Sequence, residues 1–191
     1  MKKMQWSLLG LSLLAFMACK NDAKKSDTEE EVEKVVEEVE VKEITLLLES
    51  RSGSSATGKV SLTDENGVVT LVANLSGLDA GTHAIHFHEK ADCSAADGTS
   101  TGGHWNPTFE PHGKWGDNEG GYHKGDIGNF EVGEDGTGTI EMSTSEWCLG
   151  CGDEKKDLKG KAIIVHQGAD DFVSQPSGAA GARVSCGGIV Q

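Results

Sequence analysis

From Ile44 onward, apolar and polar residues alternate with a period of two, the repeat of a strand with one buried and one wet face. The alternation predicts strands at Ile44–Glu49, Gly58–Thr63, Val68–Leu75 and Thr82–His88. After a long glycine-rich interval it resumes at Gly128–Val132, Thr137–Met142 and Val184–Cys186, and an unbroken apolar run predicts a further strand at Ala162–Val165. Asn66-Gly67 and Asp135-Gly136 sit between such runs, and a dipeptide that accepts positive φ at this place is a hairpin signal. Eight short strands punctuated by turns predict an all-β protein, an eight-stranded Greek-key β-sandwich or flattened barrel. No internal repeat is evident.

The alternation does not reach the N-terminus. Lys2 and Lys3 precede an apolar run from Leu8 to Met17, and Ala18-Cys19 closes it. That run is too short for a comfortable transmembrane helix and has the form of an export signal. It resembles a bacterial lipoprotein signal, although Phe16 and Met17 depart from that pattern. Cleavage before Cys19 would leave a lipidated N-terminal cysteine, whereas an ordinary secretory signal would carry the cysteine incidentally. The stretch that follows is mostly charged and rich in glutamate, which keeps a chain solvated and extended. Val32, Val35, Val36 and Val39 fall at helical spacing, but isolated helices this short are marginal, and an acidic tether is the favoured reading. The division expected is 1–18 lipoprotein signal peptide, 19–41 acidic tether and 42–191 folded domain, placing the domain in the bacterial envelope, at the periplasmic side or the cell surface, with a membrane partner through its lipid anchor.

Composition narrows the function. The 26 glycines and 3 prolines suit a turn-rich β protein. A formal charge of −14 argues against nucleic acid as a partner, because phosphate binding needs a basic face.

Chemistry concentrates between His83 and Asp126, which hold six of the seven histidines. His86 and His88 are two apart on a predicted strand, so both imidazoles share a face while Ile85 and Phe87 take the other. The loop beyond them is rich in Gly, His and Asp and has little apolar surface to order it, a lack that metal cross-links supply. Three histidines and an aspartate form a closed set suited to structural zinc. Histidines alone, with a position left open, suit redox copper.

His86-Phe87-His88-Glu89, Gly103-His104-Trp105-Asn106-Pro107, His123-Lys124-Gly125-Asp126-Ile127-Gly128-Asn129, Val165-His166 with Ala169-Asp170-Asp171, and Gly181-Ala182-Arg183-Val184-Ser185-Cys186-Gly187 together resemble the copper/zinc superoxide dismutase family. They occur in the family's order over roughly residues 42–191. The resemblance implies an immunoglobulin-like sandwich with long metal-binding loops, copper and zinc as cofactors, and superoxide as a small anionic substrate. It implies copper on His86, His88, His104 and His166, and zinc on His104, His112, His123 and Asp126, with His104 bridging the two. Asp170 would link ligand histidines of both metals. Arg183 would guide the substrate, and His104 would also serve catalysis by releasing and regaining a proton as copper cycles. His83 falls outside both sets and is expected to make a structural hydrogen bond. The segment Phe172–Ala180 has no lysine or glutamate, so the family's charged guidance loop is neutral here, and Lys90, Lys114 or Lys124 would have to compensate. A homodimer or a monomer is allowed, and no apolar stripe in the sequence selects between them.

Five cysteines remain to be placed. With Cys19 lipidated, four are left, and export favours disulfides. By resemblance Cys93 pairs with Cys186. Cys148 and Cys151 form a C-x-x-C outside the family's shared pattern, open to a local disulfide, a redox pair or half of a thiolate metal site. The local disulfide is favoured. The main rival function is an envelope protein that buffers copper or zinc without turnover; Arg183 and the bridging spacing count against it. A sandwich with only a structural zinc would have no reason to keep His86, His88 and His166.

Overall fold

The computed structural model describes residues 40–190. The expected signal peptide, Cys19 and the valine-striped tether up to Val39 lie outside the described residues. Eight strands follow: β1 Val41–Ser50, β2 Thr57–Glu65, β3 Val68–Ser76, β4 Gly81–His88, β5 Gly128–Val132, β6 Thr137–Thr144, β7 Ala162–His166 and β8 Arg183–Gly188. One turn of 3-10 helix, Thr99–Thr101, lies in the long β4–β5 connection. All neighbours are antiparallel, and they close a barrel in the order β1-β2-β3-β6-β5-β4-β7-β8. The crossovers that place β6 beside β3 and β7 beside β4 make it a Greek key. Two seams are short: β5 meets β6 only at Val132–Gly138, and β1 meets β8 only at Glu49–Cys186 and Ser50–Ser185.

The β2–β3 turn shows why the dipeptide mattered. Asn66 and Gly67 both have positive φ, 55° and 75°, the combination that matches a two-residue turn to the strands' right-handed twist. On β3, Val69, Leu71, Ala73 and Leu75 are buried at every second position, as are Val60 and Leu62 on β2.

Strands β4 and β7 break that rule. Every residue from His83 to His88 and from Ala162 to His166 is buried. Ile85, Phe87, Ile163 and Val165 belong to the barrel core, so His86, His88 and His166 occupy the opposite, outer face. Loops cover that face, and the site forms between strand and loop.

Cys93 and Cys186 are bonded, as are Cys148 and Cys151. The first bond spans 93 residues and ties the loop after β4 to β8. The Arg51 guanidinium reinforces it by donating from Nε and Nη2 to the Cys93 carbonyl at 3.0 and 2.7 Å. Closing so long a loop restricts the unfolded chain, so Cys93→Ser is expected to cost about 2–5 kcal/mol of stability. The check is the denaturant midpoint under oxidising conditions; an unchanged midpoint would refute it.

Candidate metal centre

Loop 89–127 leaves β4 and folds back on it. The Phe87 amide donates to Gly125 O at 2.9 Å, the Trp105 amide to Phe87 O at 2.8 Å, and the Gly125 amide to Trp105 O at 3.0 Å. This places His104 and Asp126 against the outer face of β4. A Cβ at Gly125 would stand 2.3 Å from Phe87 O, so only glycine permits the approach. His166 arrives from the other side, at a register shift between β7 and β8 that sets it opposite Arg183, and such irregularities re-aim side chains next to sites.

Four rings converge there. The centroid of His104 is 4.0 Å from His86, 5.0 Å from His88 and 6.0 Å from His166. A second group shares His104: its centroid is 5.3 Å from His112 and 5.7 Å from His123, and His104 Nδ1 lies 2.9 Å from Asp126 Oδ1. Within each set of four residues, one potential ligand atom per residue lies within 4.8 Å of all the others. All seven residues are buried.

Hydrogen bonding decides what these nitrogens are for. His86 donates from Nε2 to Asp170 Oδ2 at 2.8 Å, and His112 from Nε2 to Asp170 Oδ1 at 2.9 Å. His88 and His166 donate from Nδ1 to the carbonyls of Gly102 and Gly181 at 3.0 and 3.4 Å. The other nitrogen of each ring, His86 Nδ1, His88 Nε2, His112 Nδ1 and His166 Nε2, is buried without a hydrogen-bond partner among the described residues, as are His104 Nε2 and His123 Nδ1. His112 Nδ1 and His123 Nδ1 do lie 3.0 and 3.2 Å from Asp126 oxygens, but without hydrogen-bond alignment. An unpaired buried acceptor typically costs about 1–3 kcal/mol, and six gathered in two shells make sense as ligands. The residues fit two metal ions that share His104, with the bound N–H of each anchored ring fixing its tautomer.

Electrostatics agree with neutral ligands in the first set. Burial and the neighbouring rings hold His88 and His166 well below the usual imidazole range. Burial also lowers His104, to about 4, against the opposing effect of its hydrogen bond to Asp126. Around the second set, burial works against charge on His112, yet Asp126 and Asp170 prevail and raise it to about 9. Burial likewise opposes ionisation of Asp126, but the close imidazoles of His104, His112 and His123 and the His123 amide keep it far below the ordinary carboxylate range.

Arg183 lines the cleft over the first set with His88, His104, His166 and Ser177. Among the described residues its hydrogen bonds leave only from Nη1, to Gly98 O and Thr101 Oγ1, both at 2.9 Å. His83 bonds outside both sets, with Nδ1 2.9 Å from His166 O and Nε2 2.9 Å from Asp79 O. Among the lysines expected to compensate for the neutral 172–180 segment, Lys124 pairs with Glu146, and none of Lys90, Lys114 and Lys124 lines the cleft.

Sequence reasoning missed three supporting residues. Asn129 exchanges two hydrogen bonds with the Asp170 backbone, at 2.8 and 2.9 Å. Gln175 brackets His112 by accepting from its amide and donating to its carbonyl, both at 2.9 Å. Gly178, at φ 68°, lets the loop pass where a Cβ would fall 1.8 Å from Asp170 Oδ1 and 2.7 Å from His112 Nε2. Only the position of Asn129 at the end of the His123–Asn129 motif offered any signal.

Comparison with known proteins agrees with this architecture. A family model described as copper/zinc superoxide dismutase matches residues 56–189. The superoxide dismutase [Cu-Zn] of Caulobacter vibrioides is 38% identical over 149 residues, covering 76% of this chain and 84% of that protein. The superoxide dismutase-like protein YojM of Bacillus subtilis is 34% identical over 134 residues, covering 69% of this chain and 67% of its own. Among solved structures, a superoxide dismutase-like protein from Bacillus subtilis superposes with a TM-score of 0.68 at 32% identity, over 76% of this chain and 97% of that one. The clock protein EA4 gives 0.64 at 31% identity, over 78% and 94%.

Proposed function

The chain belongs to the copper/zinc superoxide dismutase family, and from that premise we propose that it converts two superoxide anions and two protons into oxygen and hydrogen peroxide. Its cofactors are copper and zinc. The observation that carries the proposal is the pair of unpartnered nitrogen shells joined through His104. We assign copper to His86 Nδ1, His88 Nε2, His104 Nε2 and His166 Nε2, and zinc to His104 Nδ1, His112 Nδ1, His123 Nδ1 and the Asp126 carboxylate. Copper supplies the alternating one-electron reduction and oxidation of superoxide, and zinc supplies fixed charge beside the bridging ring.

The chain's residues manage the anion and the protons. Arg183 keeps its guanidinium in place through Nη1 and, with no partner for Nε and Nη2 among the described residues, can donate from them to a small anion in the cleft. Burial lowers the Arg183 pKa, but a guanidinium stays charged at any physiological pH. With its Nδ1 side held by the zinc set, His104 would take up a proton on Nε2 only when that nitrogen is released from copper, and would yield it to the product. Charges more than about 8–10 Å away are screened at physiological salt, so the chain's net charge is a weak opponent to Arg183.

With the segment 172–180 neutral and no lysine at the cleft, guidance falls on this one residue. Arg183→Ala is expected to slow superoxide decay by about tenfold, the low end of electrostatic focusing, and to blunt inhibition by small anions. Full activity with unchanged anion sensitivity would contradict the assignment.

The test of the function itself is superoxide decay by pulse radiolysis on protein loaded with copper and zinc and assayed for both. Fast copper-dependent decay supports the dismutase. Full loading without turnover makes the chain a metal buffer.

The two disulfides suit an oxidising compartment, and no helix among the described residues is long and apolar enough to cross a membrane. We further propose the envelope address and the lipid anchor at Cys19, tested by metabolic labelling with a fatty acid in the wild type and Cys19→Ser.

A further inference from the structure

The connection between β6 and β7 carries Glu146-Trp147-Cys148-Leu149-Gly150-Cys151, a segment that belongs to none of the motifs shared with the family. The dismutase chemistry makes no use of it, yet it touches the metal loop on both sides of one ligand. Trp147 is buried, and its Nε1–H donates to Lys124 O at 2.9 Å. Glu146 accepts from Tyr122 Oη at 3.0 Å and pairs with Lys124 Nζ. The Trp147 ring stands 5.0 Å from Phe87 and 5.1 Å from Trp115, and Trp115 lies 5.0 Å from Tyr122. The residue before His123 and the residue after it are thus both held by one dipeptide, while the His123 ring goes to Asp126 and His104.

The loop needs such support. Residues 113–125 include five glycines, and glycine gives up more conformational freedom on ordering than any other residue. A ligand on that loop would otherwise meet its metal only at a large entropic cost.

The bracing segment is fixed in turn. Cys148 is bonded to Cys151. The Cys148 amide donates to Lys156 O at 2.9 Å, and its carbonyl accepts from Leu158 at 3.1 Å. Leu149 and Leu158 are buried in the barrel core. Cys148, Cys151 and Asp157 also stand close enough together to suggest a third metal site. The thiols are consumed in the disulfide, however, and the Asp157 carboxylate accepts from the amides of Gly150, Gly152 and Lys159, each at 2.9 Å. The group acts as a clamp.

We propose that Glu146 and Trp147, clamped by the Cys148–Cys151 disulfide, are positioning residues that hold His123 ready for zinc. The proposal rests on the assignment of His104, His112, His123 and Asp126 as the zinc set. Its test is zinc competition against a chromogenic chelator on the copper- and zinc-loaded protein, with copper retention followed in parallel. The variants are Trp147→Phe, Glu146→Gln, Cys148→Ser with Cys151→Ser, and His123→Ala as the control for the zinc set.

Trp147→Phe keeps a large ring in the core and deletes the donor to Lys124 O. It is expected to weaken zinc binding by about tenfold, the low end of what outer partners of metal ligands contribute, while copper is retained. Cobalt placed in the zinc set should show a changed visible spectrum in the same variant, which a purely global loss of stability would not produce. Glu146→Gln, at a partly exposed position, should shift zinc in the same direction and carries the test if Trp147→Phe does not fold. The double cysteine variant should do so more weakly. Zinc affinity unchanged in Trp147→Phe and Glu146→Gln, with zinc lost in His123→Ala, overturns the brace alone, as does equal loss of both metals. Zinc retained in His123→Ala overturns the underlying assignment and the brace with it.

Discussion

His166→Ala is expected to abolish copper-dependent superoxide decay while leaving zinc in place. His166 is the one member of the first set that comes from β7, and it shares no partner with the second set. Its ring faces His86 at 5.0 Å and His88 at 5.6 Å, and its Nε2 is one of the six unpartnered nitrogens. Alanine removes that nitrogen but keeps the His166 carbonyl, which receives His83 Nδ1 at 2.9 Å, so the strand end stays tied. Three nitrogens from β4 and the loop would then hold copper more weakly, with an extra open position. Loss of a direct ligand should exceed the roughly 10–100-fold that outer-partner substitutions cost in metal affinity or activity. The experiment reads decay rate together with copper and zinc content per chain. Undiminished decay at full copper loading would remove His166 from the site. Simultaneous loss of zinc would mean that the two shells are not separable as proposed.

What the sequence displayed and what it concealed divide along sequence distance. The apolar pattern located all eight strands, by alternation where one face is wet and by an unbroken apolar run at β7, which is buried on both faces. It undershot where burial stops reporting on pairing. Val41, Lys42 and Glu43 are largely exposed, yet they pair with Glu65, Asp64 and Thr63 through the backbone alone. Gly187 and Gly188 extend β8 past Cys186 because they pair with Ile163 and Ala162, which no glycine pair announces. His86 and His88 could be placed on a common face from their spacing, since a strand fixes that locally. His166, Arg183 and Asp170 are 78 or more residues beyond His88, and only the family resemblance pointed to them. Gln175 was invisible, and Asn129 legible only through its motif, for the same reason: their partners lie far along the chain, 63 residues away for Gln175 and 41 for Asn129. Lys124 is the instructive failure. With Lys90 and Lys114 it was expected to compensate for the neutral 172–180 segment, whereas Glu146, 22 residues away, engages it.

The second large effect is expected at Asp170, which touches no metal in the assignment above. Its carboxylate is fully buried and accepts from His86 through one oxygen and from His112 through the other, one ligand of each metal. It also receives the Phe172 amide at 2.7 Å. Burial opposes its ionisation, but His112, His86 and Phe172 prevail and hold it well below the usual carboxylate range, so it is a charged acceptor throughout physiological pH. Asp170→Asn keeps the volume and removes one acceptor, because an amide presents one oxygen and one NH2. The histidine left facing the NH2 loses the acceptor for its Nε2–H. It then gains by moving that proton to Nδ1, the atom required for metal, and binding must reverse this tautomer change first. Zinc affinity should fall by about 10–100-fold, with copper also weakened, as expected when an outer-sphere carboxylate is lost. Asp170→Glu restores the charge but lengthens a side chain with no room to spare, since the loop passes at Gly178 with space for no Cβ. It should therefore recover little. Competition titrations for both metals decide the matter: wild-type affinities in Asp170→Asn would show that the two shells hold their geometry without this bridge.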